Sequence, residues 1–145
     1  MMTTKTKETT KTVKGNKYFE AVGRRKTAIA RVRLFAGKTE KSEVIINKKS
    51  FDAYFKTDRL RKIVLDPLTT LSLDSYRVSV NVVGGGTTAQ AEAVRLGIAR
   101  TLIKLNPIWR ANLKVLGFLK RDPRAVERKH PGMRKARRPQ QWRKR

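Results

Sequence analysis

Beyond Leu119 the chain offers a folding domain almost nothing to bury. Its last stretch, RDPRAVERKHPGMRKARRPQQWRKR, mixes Lys and Arg with Pro, Gly and polar residues and never gathers a run of apolar side chains. A segment that buries no apolar surface cannot offset the entropy of ordering its backbone, so alone it stays unstructured. Pro123, Pro131, Gly132 and Pro139 also disfavour a continuous helix and favour an extended path. Whatever folds must therefore fold upstream. The chain divides into a disordered basic extension over 1–17, a globular domain over 18–116 holding nearly all candidate core residues, and an extended basic tail over 117–145. The middle zone has about 100 residues, enough for one modest core.

Lys and Arg number 36 against 11 Asp and Glu, a formal net charge of +25. Such a surplus repels itself in the compact state, and a polyanion relieves the repulsion. Basic residues recur along the whole chain, which favours nucleic acid over an anionic membrane surface or an acidic protein. There is no Cys, which removes disulfides, thiolate metal sites and Cys nucleophiles. The opening MMTTKTKETTKTVKGNK lacks the apolar segment of a secretory signal. No window approaches the ~20 apolar residues of a membrane span, so no membrane partner is expected.

Within the domain, GRRKTAIARVRLFAG alternates from Ala28 to Leu34. Ala28, Ala30, Val32 and Leu34 share one face, with Thr27, Arg31 and Arg33 on the other and Ile29 as the exception, which reads as a strand with a buried and a basic face. EVIIN (Glu43–Asn47) is expected as its hairpin partner. SFDAYF begins a short helix with Ser50 as cap, and DRLRKIVLDPL a longer one with Asp58 as cap, stopped or bent by Pro67. SYRVSVNVV is the clearest strand, with Tyr76, Val78, Val80 and Val82 on one face. GGGTTAQAEAVRLGIARTLIKL turns on its glycines, caps on Thr87 or Thr88 and runs as a helix to Leu105, with Ala91, Val94, Ile98, Leu102 and Leu105 as the apolar stripe. NPIWRANLKVLG gives a last short helix, capped by Asn106, opened by Pro107 and ended by Gly117. The fold class is α+β (mixed α/β): a small sheet with helices on one face.

Chemistry-bearing motifs are few. GGGTTAQ lacks the Lys-Ser or Lys-Thr of a nucleoside-triphosphate loop, and Ala89 stands where the last Gly of GxGxxG would be, so a structural turn is expected and no small-molecule substrate or cofactor. His130 is the only histidine and reads as a solvated tail residue. Asp122 and Glu127 sit among Arg121, Arg124 and Arg128 and read as local ion pairs. No catalytic constellation or metal site is present, so no enzyme is expected. Arg25, Arg31 and Arg33, taken together on one strand face without an interleaved acid, suit RNA, because a guanidinium meets phosphate oxygens in pairs and stacks on bases. Fully extended at ~3.3 Å per residue, the tail could reach about 95 Å. Such a strap can thread between phosphates, and Trp142 adds a flat surface for stacking.

Three stretches, GRRKTAIARVRL, GGGTTAQAEAVRLGIARTL and LGFLKRDPRAVERKHPGMRKARRPQQWRKR, resemble the bacterial-type ribosomal small-subunit protein nine family over about Tyr18 to Arg145. The resemblance implies a structural constituent of the small ribosomal subunit, bound to small-subunit rRNA in the head beside neighbouring head proteins. It implies a cytoplasmic, ribosomal location, with an organellar ribosome left open. It also implies the fold of the second domain of small-subunit protein five, a four-stranded sheet with a left-handed crossover, its fourth strand near Thr69–Leu73 here. The rRNA contacts fall on Arg24, Arg25, Lys26, Arg31 and Arg33 in the body, with basic helix residues, and on Arg121, Arg124, Arg128, Lys129, Arg134, Lys135, Arg137 and Arg138 in the tail. Family tails reach the anticodon stem-loop of the peptidyl-site tRNA. By position that role falls on Gln141, Arg143, Lys144 and Arg145, with Trp142 as the aromatic and Arg143 in place of the usual Ser. The rival of another class is a DNA-packing protein, which would bind duplex with a steep salt dependence. An enzyme acting on RNA is a distant third.

Overall fold

The computed structural model describes residues 18–35, 42–73 and 75–142; the extension over 1–17, most of the loop after Phe35, Asp74 and the last three residues lie outside the described set. Five strands form one mixed sheet in the order β1-β2-β5-β3-β4, where β1 is Tyr18–Arg25, β2 Ala28–Phe35, β3 Glu43–Ile46, β4 Lys49–Ser50 and β5 Arg77–Val83. β2 pairs antiparallel with β1 and β5, and β3 pairs parallel with β5 and antiparallel with β4. The helices are α1 (Phe51–Tyr54), α2 (Asp58–Thr70), α3 (Thr87–Leu105) and α4 (Arg110–Val115), the last preceded by a 3-10 turn at Pro107–Trp109.

The alternation in β2 and β5 holds residue by residue. Ala28, Ala30, Val32 and Leu34, with Val78, Val80 and Val82, are buried, while Arg31, Arg33, Arg77 and Asn81 face outward. Val44 and Ile46 extend the apolar face across β3. α3 lies against β1 and β2, and α2 packs on α3. Val64 and Leu68 of α2, Phe55 and Leu113 complete the core with Val94, Ile98 and Leu102. Burying one such side chain fully contributes about 1.5–3 kcal/mol.

Several expectations are corrected. β3 is not the hairpin partner of β2: β5 stands between them, and a crossover carrying α1 and α2 connects β3 to its parallel neighbour. The sheet has five strands, and none lies near Thr69–Leu73. Thr69 and Thr70 close α2, and Ser72 turns the chain at φ 49°, with Ser72 N–H donating to the Thr69 carbonyl (3.0 Å) and Leu73 N–H to that of Leu68 (3.2 Å). That is the bonding a glycine usually ends a helix with, here made by Ser. Gly117 ends α4 as expected, at φ 72°, with Phe118 N–H donating to the Leu113 carbonyl at 3.1 Å. Pro67 does not stop α2; its ring is buried, and the helix continues to Thr70. The caps also differ: Thr57, not Asp58, precedes α2, Gly86 precedes α3, and Ser50 makes no side-chain cap bond. Asn106 does cap its turn, accepting from Ile108 N–H at 3.1 Å.

β1, which no alternation announced, runs past α3 at very close range. A Cβ at Gly23 would lie 1.8 Å from the Ala93 carbonyl oxygen and 2.6 Å from Gly97 N, and one at Gly97 2.4 Å from Val32 Cγ2. Ala89, Ala91, Ala93 and Ala99 continue this lining of small residues, so the helix axis can approach the sheet. The β3–β4 hairpin turns on Asn47 and Lys48, both at positive φ (48° and 65°), the pattern that matches the twist of two-residue hairpins. Asn47 also extends the β5 ladder with its side chain, donating from Nδ2 to the Val82 carbonyl (2.9 Å) and accepting from Val82 N–H (2.8 Å).

Candidate nucleic-acid interface

Three groups of described cations concern an RNA interface: those on the open face of the sheet, those at the back of the domain, and those in the segment after α4. The open face presents Arg24 from β1, Arg31 and Arg33 from β2, and Arg77 from β5. It does contain an acid. Glu20 on β1 lies opposite Arg33 in register and pairs with both arginines of β2, at 2.7 Å to Arg33 and 3.6 Å to Arg31. Two guanidinium groups lie over aromatic rings here, Arg33 over Tyr18 at 5.0 Å and Arg77 over Phe35 at 5.5 Å. Arg77 also pairs with Glu43 at 3.3 Å. Arg24 and Lys26 are exposed and have no acidic partner among the described residues.

Arg25 does not share this face. The alternation of β1 turns it toward α3, where its side chain is 10% exposed. Its Nε donates to Glu92 Oε2 at 2.5 Å, its NH2 group pairs with Asp122 Oδ2 at 3.0 Å, and its NH1 group donates to the Arg124 carbonyl. The grouping of Arg25 with Arg31 and Arg33 is therefore corrected: the β1–β2 turn separates them and the alternation of β1 puts Arg25 on the opposite face. Asp122 meets a second cation as well, Arg124, whose NH2 lies 2.8 Å from Oδ2 and whose backbone N–H donates to Oδ1 at 2.9 Å. These bonds, the side-chain one foremost, hold the Asp122 carboxyl well below the usual carboxylate range.

At the back, α3 uses its cations on the protein itself. Arg100 donates to the Val22 carbonyl (2.7 Å) and Lys104 to that of Glu20 (2.6 Å). β1 is an edge strand, and these side chains occupy carbonyls that would otherwise invite another strand. The sequence pattern set both residues opposite the apolar stripe but gave no sign of this task.

Among the described residues after Gly117 there is no helix, and the only strand-like pairing is an isolated bridge between Met133 and Pro139. Within that bridge Arg134 N–H donates to the Arg138 carbonyl at 2.8 Å. Glu127 pairs with Arg137 at 2.5 Å, farther along the chain than the neighbouring arginines that the sequence suggested. Arg121, Arg128, Lys129, Arg134, Lys135 and Arg138 are exposed and, among the described residues, without an acidic partner. His130 is exposed, as are Gln141 and Trp142, the latter 93% so. Arg143, Lys144 and Arg145 lie outside the described residues.

The glycine turn before α3 is built for the protein. Gly84 and Gly85 both adopt positive φ (73° and 68°), and a Cβ at Gly85 would sit 2.8 Å from that of Ala28. The Gln90 side chain closes the turn by donating to the Gly84 carbonyl (3.0 Å) while accepting from the Tyr54 hydroxyl (2.9 Å). Ala89 is buried in the core. Among the described residues no cluster of His, Asp and Glu could hold a metal, and no helix is long and apolar enough to cross a membrane.

The sequence that builds this sheet and its basic strap has relatives among known proteins. The sequence model of the ribosomal protein S9/S16 family matches residues 23–145. The chain belongs to this family. The small ribosomal subunit protein uS9 of Amoebophilus asiaticus (strain 5a2) is 50% identical over 126 residues, covering 86% of this chain and 96% of that protein. The family match begins inside β1 and runs through the whole basic segment, so it spans both body and strap.

Proposed function

We propose that this protein is a structural constituent of the small ribosomal subunit and works by neutralising and positioning RNA, without catalysis. Family membership carries this reading. Its place is then the cytoplasmic ribosome. The body over 18–116 anchors on small-subunit rRNA in the head through the unpaired Arg24 and Lys26 and through Arg31 and Arg33, whose single shared carboxylate leaves net positive charge. The tail over 117–145 threads the RNA through Arg121, Arg128, Lys129, Arg134, Lys135 and Arg138, with Arg124 and Arg137 held by their carboxylates until phosphate competes for them. Contacts of this kind follow the backbone and show little base preference. The mixed sheet, with a crossover between parallel β3 and β5, supports the second-domain fold of small-subunit protein five, whose crossover is left-handed. Neighbouring head proteins complete the surroundings. After sucrose-gradient sedimentation at about 0.5–1 M salt, where screening shortens to a few ångströms, the protein should remain with the small subunit. Release there, or recovery with chromosomal DNA, sinks the reading.

The C-terminal end reaches the peptidyl-site tRNA in this reading, with Gln141, Arg143, Lys144 and Arg145 on the anticodon stem-loop and Trp142 free to stack. Deleting Lys144 and Arg145 should weaken peptidyl-site tRNA binding by at least about tenfold, because charge-assisted phosphate contacts are worth roughly 1.5–3 kcal/mol each. Subunit assembly should continue. Filter binding of tRNA to the truncated particle measures this, and an unchanged affinity rules the contact out.

A further inference from the structure

We propose that Arg25 is a positioning residue: it ties the root of the C-terminal segment to the body and so fixes the heading of that segment before RNA is met. The proposal rests on the reading above, in which the segment threads rRNA. One planar guanidinium joins three parts of the chain: β1, which carries it, Glu92 of α3, and the Asp122–Arg124 turn. Its fixed fork suits this, because several acceptors must be met at once.

The tie sits at the boundary where the body ends. Just before it, Phe118 packs under Arg95, whose guanidinium lies 5.4 Å from the ring centre, and Leu119 packs against the core. Asp122 then folds the turn around Pro123 by accepting from Arg124 N–H. Beyond Arg124, among the described residues, no hydrogen bond or ion pair joins residues 125–142 to the body; their bonds are with one another. The last hold on the segment is therefore the Arg25 group. Charge balances within it: Glu92 and Asp122 face Arg25 and Arg124. Without Arg25 the two carboxylates lose their common cation, and among the described residues only the longer-range attraction of Arg124 to Glu92 still links the turn to α3.

A preset heading reduces the conformations that binding must select from, which favours association. The chain lacks Cys, so spin labels can be placed on the full-length protein at Asn112→Cys and Val126→Cys without interference. In the free protein the distance distribution between them should be narrow, and Asp122→Ala should widen it at least twofold while the unfolding transition stays in place. Arg25→Met should do the same, and if that variant does not fold, Asp122→Ala, whose side chain lies outside the core, decides alone. A parent distribution already as wide as the variant's overturns the tie. Asp122→Ala should also associate with small-subunit rRNA about tenfold more slowly, and equal rates overturn the positioning role. A narrow distribution in a parent that fails to bind this rRNA upholds the tie and sinks the ribosomal reading instead.

Discussion

Replacing Gly23 by Ala should destabilise the protein by about 3 kcal/mol, the upper end of the usual cost of overpacking, and lower its melting temperature by roughly 15 °C. The added methyl would meet the Ala93 carbonyl oxygen at 1.8 Å and Gly97 N at 2.6 Å. Both are backbone atoms of α3, so no rotamer change clears the space. The helix must move off the sheet, and its contact with β1 and β2 is the main helix–sheet interface of the body. Gly86 gives the contrast. A Cβ there meets nothing within 4 Å, and its φ of −91° and ψ of 166° suit an ordinary N-cap residue. Gly86→Ser should therefore be neutral or stabilise by about a few tenths of a kcal/mol through a cap bond. Urea unfolding of the three proteins measures both, and a Gly23→Ala protein as stable as its parent would show that the helix can sit farther out at no cost.

The same glycine explains why β1 was not legible. Strands are read from apolar residues at every second position, and β2 and β5 bury Ala, Val and Leu at theirs. β1 turns Ala21, Gly23 and Arg25 inward and leaves Val22 outside, so its apolar side chain marks the wrong face. Glycine is needed for the helix to approach, and Arg25 for a bond to residues nearly a hundred positions away. Neither need shows in a local window. The sheet order was hidden for a related reason. Sequential strands are neighbours about two-thirds of the time, and nothing in EVIIN announces that it pairs parallel with a strand beyond two helices.

The candidate interface was legible in kind but not in detail. Composition alone pointed to a polyanion, and most of the described cations after Gly117 are exposed. Which cations are committed to the protein was not visible. Arg100 and Lys104 satisfy the edge carbonyls of β1, and Arg25 holds two carboxylates. All three pairings depend on tertiary proximity, and a charge count treats these residues like Arg24 or Arg128. Family resemblance could not supply the distinction either, because it assigns contacts by position in the motif and not by what each side chain already touches.

That distinction sets the other large effect. Replacing Arg128, Lys129, Arg134, Lys135 and Arg138 together by Gln should lower affinity for small-subunit rRNA on the order of a thousandfold at about 0.1 M salt. Each phosphate contact releases counterions worth about 0.7–0.9 in the slope of log affinity against log salt, so the slope should flatten by about 4. These residues have no acidic partner among the described residues, and their whole charge is available to RNA. Replacing Arg124 and Arg137 should cost less per residue, because Asp122 and Glu127 already compete for them. The free variant should be no less stable than the parent: the five side chains bury nothing in the core, and removing like charges reduces self-repulsion. Affinity measured across a salt series, beside an unfolding curve, separates the two quantities. If the slope holds while stability falls, these cations serve the protein's own fold, and the strap does not lie among phosphates.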